Sequence, residues 1–64
     1  MATQTFTLGT LKYKPVEKVT YNGTAGTIWE RWQWSKENRA WCYAGRAHLK
    51  ANSTRVQVIA IFED

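Results

Sequence analysis

Apolar and polar residues alternate along most of this chain. The longest such run, Thr27 to Leu49 (TIWERWQWSKENRAWCYAGRAHL), sets the pattern for the rest. Alternation with period two is the signature of a strand that keeps one face wet. The polar cluster Lys36-Glu37-Asn38-Arg39 divides the run into two arms, which predicts a long β-hairpin turning there. With Trp34 opposite Trp41, the pairing continues as Trp32–Tyr43, Glu30–Gly45 and Ile28–Ala47. One face then collects Ile28, Trp32, Trp34, Trp41, Tyr43, Ala47 and Leu49. The other collects Trp29, Arg31, Gln33, Cys42, Ala44, Arg46 and His48. This register predicts an aromatic face turned to the core and a basic face turned to solvent. A slip of one residue mixes the two sets, so the pattern itself selects the register. Glu30 is the misfit, a carboxylate on the aromatic side.

The flanking segments read as shorter strands. In Thr5–Tyr13, Phe6 and Leu8 alternate, then Leu11 and Tyr13 alternate in the opposite phase, which places a β-bulge at Gly9-Thr10. Lys14-Pro15 ends that strand, because proline has no N–H for the ladder. Val16–Tyr21 is a second strand, with Val19 and Tyr21 inward, and Asn22-Gly23 is a tight turn whose residues both tolerate positive φ. Lys50–Thr54 is a polar connection. Arg55–Phe62 (RVQVIAIF) is apolar on both sides and reads as a final, covered strand. A rival reading makes Ser35 an N-cap and places a helix within residues 35–51, packed on an antiparallel sheet in an α+β fold. Trp41-Cys42-Tyr43 and Gly45 are poor helix formers and weigh against it.

Five strands in a meander predict an all-β, antiparallel barrel, because closure removes exposed edges. The stretch KVTYNGTAGTIWERW, with Val19, Tyr21, Gly23, Gly26 and Ile28, resembles the strand-turn-strand of SH3-like barrels, the KOW type in particular. The resemblance covers residues 16–34. It implies a five-stranded SH3-like barrel and contact with nucleic acid or a nucleic-acid machine. SH3-like barrels as a whole imply only binding, often as accessory subunits of larger complexes.

Composition narrows the function. Residues 1–64 make a single domain. So short a chain buries only about 60% of its unfolded surface, and four Trp, three Tyr and two Phe are its means of building a core. Cys42 is alone, so no disulfide helps, and a lone cysteine suits a reducing compartment. The start, MATQTFTLG, has neither the basic flank nor the apolar core of a secretion signal, and no apolar run has the length of a membrane span. A cytoplasmic protein without membrane contact is expected. Catalytic chemistry is thin. His48 is the single histidine, and with Cys42 it offers at most two soft ligands where a structural zinc takes four. The two residues share a face in this register but stand about 20 Å apart, six residues at roughly 3.3 Å each. The expectation is therefore a binding module with no catalysis, metal or cofactor.

The formal charge of +4, from nine Lys and Arg against five acids, favours anionic partners. The predicted wet face carries Trp29, Arg31, Arg46 and His48, and Lys36 and Arg39 crown the turn. Basic groups around an aromatic ring predict nucleic-acid contact, with Lys12, Lys14 and Lys18 extending the track. The alternative is protein docking, with Trp34 and Trp41 projecting at the hairpin tip as anchors. That surplus apolar surface also admits a homo-oligomer.

Overall fold

Asn22 and Gly23 adopt φ of +49° and +79°, the paired left-handed conformation that a two-residue hairpin turn requires. The long strands on either side grow from this turn. The computed structural model describes residues 4–63. In it, β1 (Phe6–Leu8), β2 (Leu11–Tyr21), β3 (Thr24–Ser35) and β4 (Ala40–Lys50) form one antiparallel sheet in chain order, followed by a helix, α1 (Arg55–Glu63). The second turn lies where the polar cluster predicts it, between Ser35 and Ala40, and Trp34 pairs with Trp41 and Trp32 with Tyr43.

The sheet is mostly as the alternation predicts, but it has four strands and stays open. β1 and β4 are its two edges. The strand-turn-strand behind the resemblance to SH3-like barrels is the β2–β3 hairpin, while the five-stranded barrel implied by it is not formed. Two local readings change with this. Gly9, at φ +60°, makes a turn with Thr10 between Leu8 and Leu11, where a bulge was expected. The chain doubles back there, so the first predicted strand becomes β1 and the start of β2. Pro15 does not end a strand. It sits inside β2, opposite Trp29, beside a register shift that loops out Val16. β1 covers only Leu11–Tyr13 of β2. Beyond Tyr13 that side of β2 is a free edge, where a missing N–H costs no ladder bond.

The larger correction is at the C-terminal segment. Arg55–Phe62 is not a strand but most of α1, and the helix does not lie within 35–51, which is the turn and β4. The β-branched run misleads because it is apolar at both spacings. Arg55, Val58, Ile59 and Phe62 also recur at i, i+3, i+4 and i+7, one stripe of a helix. Of these, Val58, Ile59 and Phe62 pack into the core, while Val56 and Ile61 point outward at 76% and 42% exposure. The start signal is a capping box. The Gln57 backbone N–H donates to Thr54 Oγ1 at 3.3 Å, and the Thr54 N–H donates to Gln57 Oε1 at 2.8 Å. Thr54→Ala is expected to cost about 1 kcal/mol, a drop of roughly 4–8 °C in Tm for a domain of this size. Thermal unfolding followed by circular dichroism checks it.

The helix covers one face of the sheet. Phe6, Tyr13, Trp29, Leu49 and Val58 form the buried cluster, with Leu11, Ala47, Ile59 and Phe62 packed against it. Phe6 stacks on Tyr13 at 5.0 Å between centroids, meets Trp29 edge-on at 6.1 Å, and lies under the Arg55 guanidinium at 5.3 Å. Among the described residues, no element lies over the second face of the sheet.

Candidate functional site

A single extra residue decides what that open face carries. From the turn to Trp32–Tyr43 the β3–β4 pairing follows the predicted register. It then shifts, so that Glu30 pairs with Arg46, Trp29 with Ala47 and Ile28 with His48, instead of Glu30–Gly45 and Ile28–Ala47. Ala44 and Gly45 together oppose Arg31, a β-bulge of two residues against one. Gly45 adopts φ +132° to make it. Side chains on β4 beyond the bulge therefore change faces relative to the expectation.

Trp29 is consequently not a wet-face residue. It is 3% exposed, in the centre of the core. Arg31 projects to the same side and is spent on structure. Its Nε and Nη2 donate to the Ala44 carbonyl at 3.2 and 3.0 Å, and its Nη1 donates to the Phe62 carbonyl at 3.3 Å. The guanidinium also lies 5.3 Å from the Phe62 ring. One cation thus satisfies the bulge carbonyl and a carbonyl in the last turn of α1, where positive charge complements the helix dipole. Neither Trp29 nor Arg31 is placed to meet a ligand on the open face. Lys18 pairs with Thr27 on the helix side and also leaves the expected track. Cys42 stays on the helix side while His48 faces the open side, so the two do not share a face.

The open face gathers the remaining candidates with the aromatics expected in the core. β3 contributes Trp32 and Trp34, and β4 contributes Trp41, Tyr43, Arg46 and His48. β2 lays Lys12 beside Trp32 and Lys14 beside Glu30. Tyr43 is 55% and Trp34 38% exposed. Each is backed by a cross-strand ring, Trp34 by Trp41 at 5.4 Å and Tyr43 by Trp32 at 5.6 Å, both edge-to-face. Lys12 Nζ lies 4.7 Å from the centre of the Trp41 ring. Lys12, Lys14, Trp32 and Trp41 line a shallow hollow of about 190 Å³.

Glu30 now has an explanation. Its Oε1 accepts from Trp32 Nε1 at 3.2 Å and its Oε2 from Arg46 Nη2 at 3.4 Å, so it orients both a ring and a cation. The Arg46 side chain remains 57% exposed and the pair contributes little to stability. At the far end, Tyr21 and His48 meet edge-on at 6.4 Å. Lys36 and Arg39 lie in the exposed turn that extends the face at its tip.

Of the predicted nucleic-acid residues, Arg46 and His48 reach this face, Lys36 and Arg39 border it, and Trp29 and Arg31 lie on the opposite side. The predicted docking pair, Trp34 and Trp41, is part of the same surface. The alternation alone places Trp32 and Tyr43 in the core; α1 covers the other face instead, and the sequence signal for the accompanying bulge is Gly45, a glycine inside a strand pattern. Among the described residues no three of His, Cys, Asp and Glu gather in one place, and no helix is long and apolar enough to cross a membrane. The chain matches no protein-family model, and comparison with curated proteins and with solved structures finds no match.

Proposed function

We propose that this chain is a non-enzymatic module that binds nucleic acid through the open face of its sheet. The observation that carries this reading is the coincidence of exposed rings and lysines on one uncovered surface. Trp34 and Tyr43 stand clear of the core on the face that also carries Lys12 and Lys14. A protein that must only fold has little reason to leave such rings in water on a face without a covering layer. Aromatic platforms flanked by cations are a recurring way to hold nucleic acid, the rings meeting bases and the cations meeting phosphates.

The reading assigns separate roles to two sets of basic residues, and salt separates them. Each phosphate contact releases counterions, so log affinity falls with log salt by about 0.7 per contact for single strands and about 0.9 for duplex. Lys12→Ala with Lys14→Ala is expected to flatten that slope by one to two contacts and leave the melting temperature nearly unchanged. Arg31→Ala is expected to do the reverse, leaving the slope in place and lowering Tm. Fluorescence anisotropy of labelled oligonucleotides at several salt concentrations, beside thermal melts of each variant, tests both. Absence of binding to any oligonucleotide at low salt defeats the reading. The exposed Trp34 ring against Trp41 then favours the second one, a protein-docking surface, in which affinity for the partner depends on Trp34 and hardly on salt.

A further inference from the structure

The chemistry of the open face is more specific than an affinity for polyanions. Its centre is made of rings, Trp32, Trp34, Trp41 and Tyr43. Groups that read base edges in a duplex groove are chiefly Arg, Asn, Gln and Lys. On this part of the face the residues of that kind are Lys12, whose Nζ lies over the Trp41 ring, and Arg46, one of whose nitrogens is held by Glu30. Duplex turns its base edges to a protein and hides its π-faces in the stack. Rings can use those π-faces only where bases are unstacked and splayed.

The exposed rings also have a spacing. Trp34 pairs with Trp41, and Tyr43 pairs with Trp32, so Trp34 and Tyr43 are diagonal neighbours across β3 and β4. That relation sets them about 7–8 Å apart. Each has a less exposed ring behind it, and Trp32 is pinned by its bond to Glu30. The lysines lie to one side, on β2, with Lys12 level with Trp32 and Tyr43 and Lys14 level with Glu30 and Arg46. A strand crossing here meets two stacking positions in succession with cations along its backbone.

Resting on the reading of this face as a nucleic-acid site, we infer that its ligand is single-stranded and is bound with little regard to sequence. The bases stack on Trp34 and Tyr43, the phosphates run along Lys12 and Lys14, and Arg46 receives the strand as it leaves Tyr43 towards His48. Sequence tolerance follows because every base has a π-face and the face offers few groups for edge recognition.

The test uses an oligothymidylate and an oligoadenylate of about twelve nucleotides, within the range of about 4–16 nucleotides held by small single-strand modules, and the duplex the two strands form. Both single strands are expected to quench tryptophan fluorescence and to bind with similar affinity, with the duplex weaker by on the order of tenfold. Trp34→Ala and Tyr43→Ala are each expected to weaken strand binding by roughly 5- to 150-fold at every salt concentration, the equivalent of one lost stacking contact. Trp34→Phe and Tyr43→Phe keep most of the affinity, because a ring remains. Unchanged melting temperatures establish that these variants are folded. Duplex binding equal to or tighter than strand binding overturns this inference and leaves the nucleic-acid reading standing. Folded Trp34→Ala and Tyr43→Ala variants with undiminished strand affinity overturn it as well. If neither strands nor duplex bind at low salt, the nucleic-acid reading itself falls.

Discussion

Trp29→Ala is expected to remove between a third and all of the stability of the fold. The ring is 3% exposed and meets Phe6 edge-on in a cluster of five buried hydrophobic side chains among the described residues. Truncating a buried tryptophan costs about 3–5 kcal/mol, the lost transfer energy together with the cavity left behind. A chain of this length has a total stability of roughly 3–10 kcal/mol. The substitution therefore removes between a third and all of it. Urea unfolding followed by circular dichroism is the measurement, because the variant also removes one of the fluorophores. The result separates two accounts of the same residue. A Trp29 on a wet face, as the uninterrupted alternation of the hairpin implies, leaves stability unchanged within about 0.5 kcal/mol and weakens only binding. A Trp29 in the core does the opposite, and Trp34→Ala, on the open face, provides the contrast.

Gly45→Val is the second large effect, expected at about 3 kcal/mol, the upper end for a strained non-glycine backbone. The reason is conformation and not space. A Cβ at position 45 meets the Phe62 ring at 3.8 Å, ordinary van der Waals contact, but the φ of +132° is one that a β-branched residue rarely adopts. The chain has two ways to respond. It can keep the bulge and bear the strain, or straighten β4 into the unbulged register of Glu30 with Gly45. Straightening turns Ala47 and Leu49 away from the helix and breaks the bonds from Arg31 to the Ala44 carbonyl. Either route lowers the midpoint of denaturant unfolding. Gly45→Ala is expected to do so less, because alanine lacks the second branch at Cβ. A Gly45→Val protein as stable as the parent excludes the bulge as the device that orients the hairpin.

Arg31 shows how one sequence feature supports two opposite roles. Its position among aromatics on a basic hairpin suggests a phosphate contact. Its geometry makes it an internal brace between the bulge and the helix, with three hydrogen bonds to the Ala44 and Phe62 carbonyls. Lys12 and Lys14 show the converse. They lie outside the hairpin in sequence, and only the pairing of β2 with β3 sets them beside Trp32 and Glu30.

What the sequence determined by itself is what depends on neighbours along the chain. Asn22-Gly23 specifies a turn through its tolerance of positive φ, and the polar cluster at 36–39 specifies the next. Between them period-two alternation specifies strands, and the pairs nearest the tip, Trp34–Trp41 and Trp32–Tyr43, follow from the turn alone. The capping box at Thr54 and Gln57 is local too, but the β-branched run after it carries the stronger signal and reads as a strand. What the tertiary structure decided is which side of the sheet is inside. Alternation states that two faces differ without saying which one will be covered. That choice waits for α1, which folds back over Tyr13, Trp29 and Leu49, and for the bulge at Ala44–Gly45, which brings Ala47 and Leu49 to the helix side. Because the side-chain period is two, one extra residue inverts every position beyond it. The energy that selects the inverted arrangement comes from burying Trp29, Leu49 and Val58 together. They are distant in sequence, so no local pattern could state that they meet.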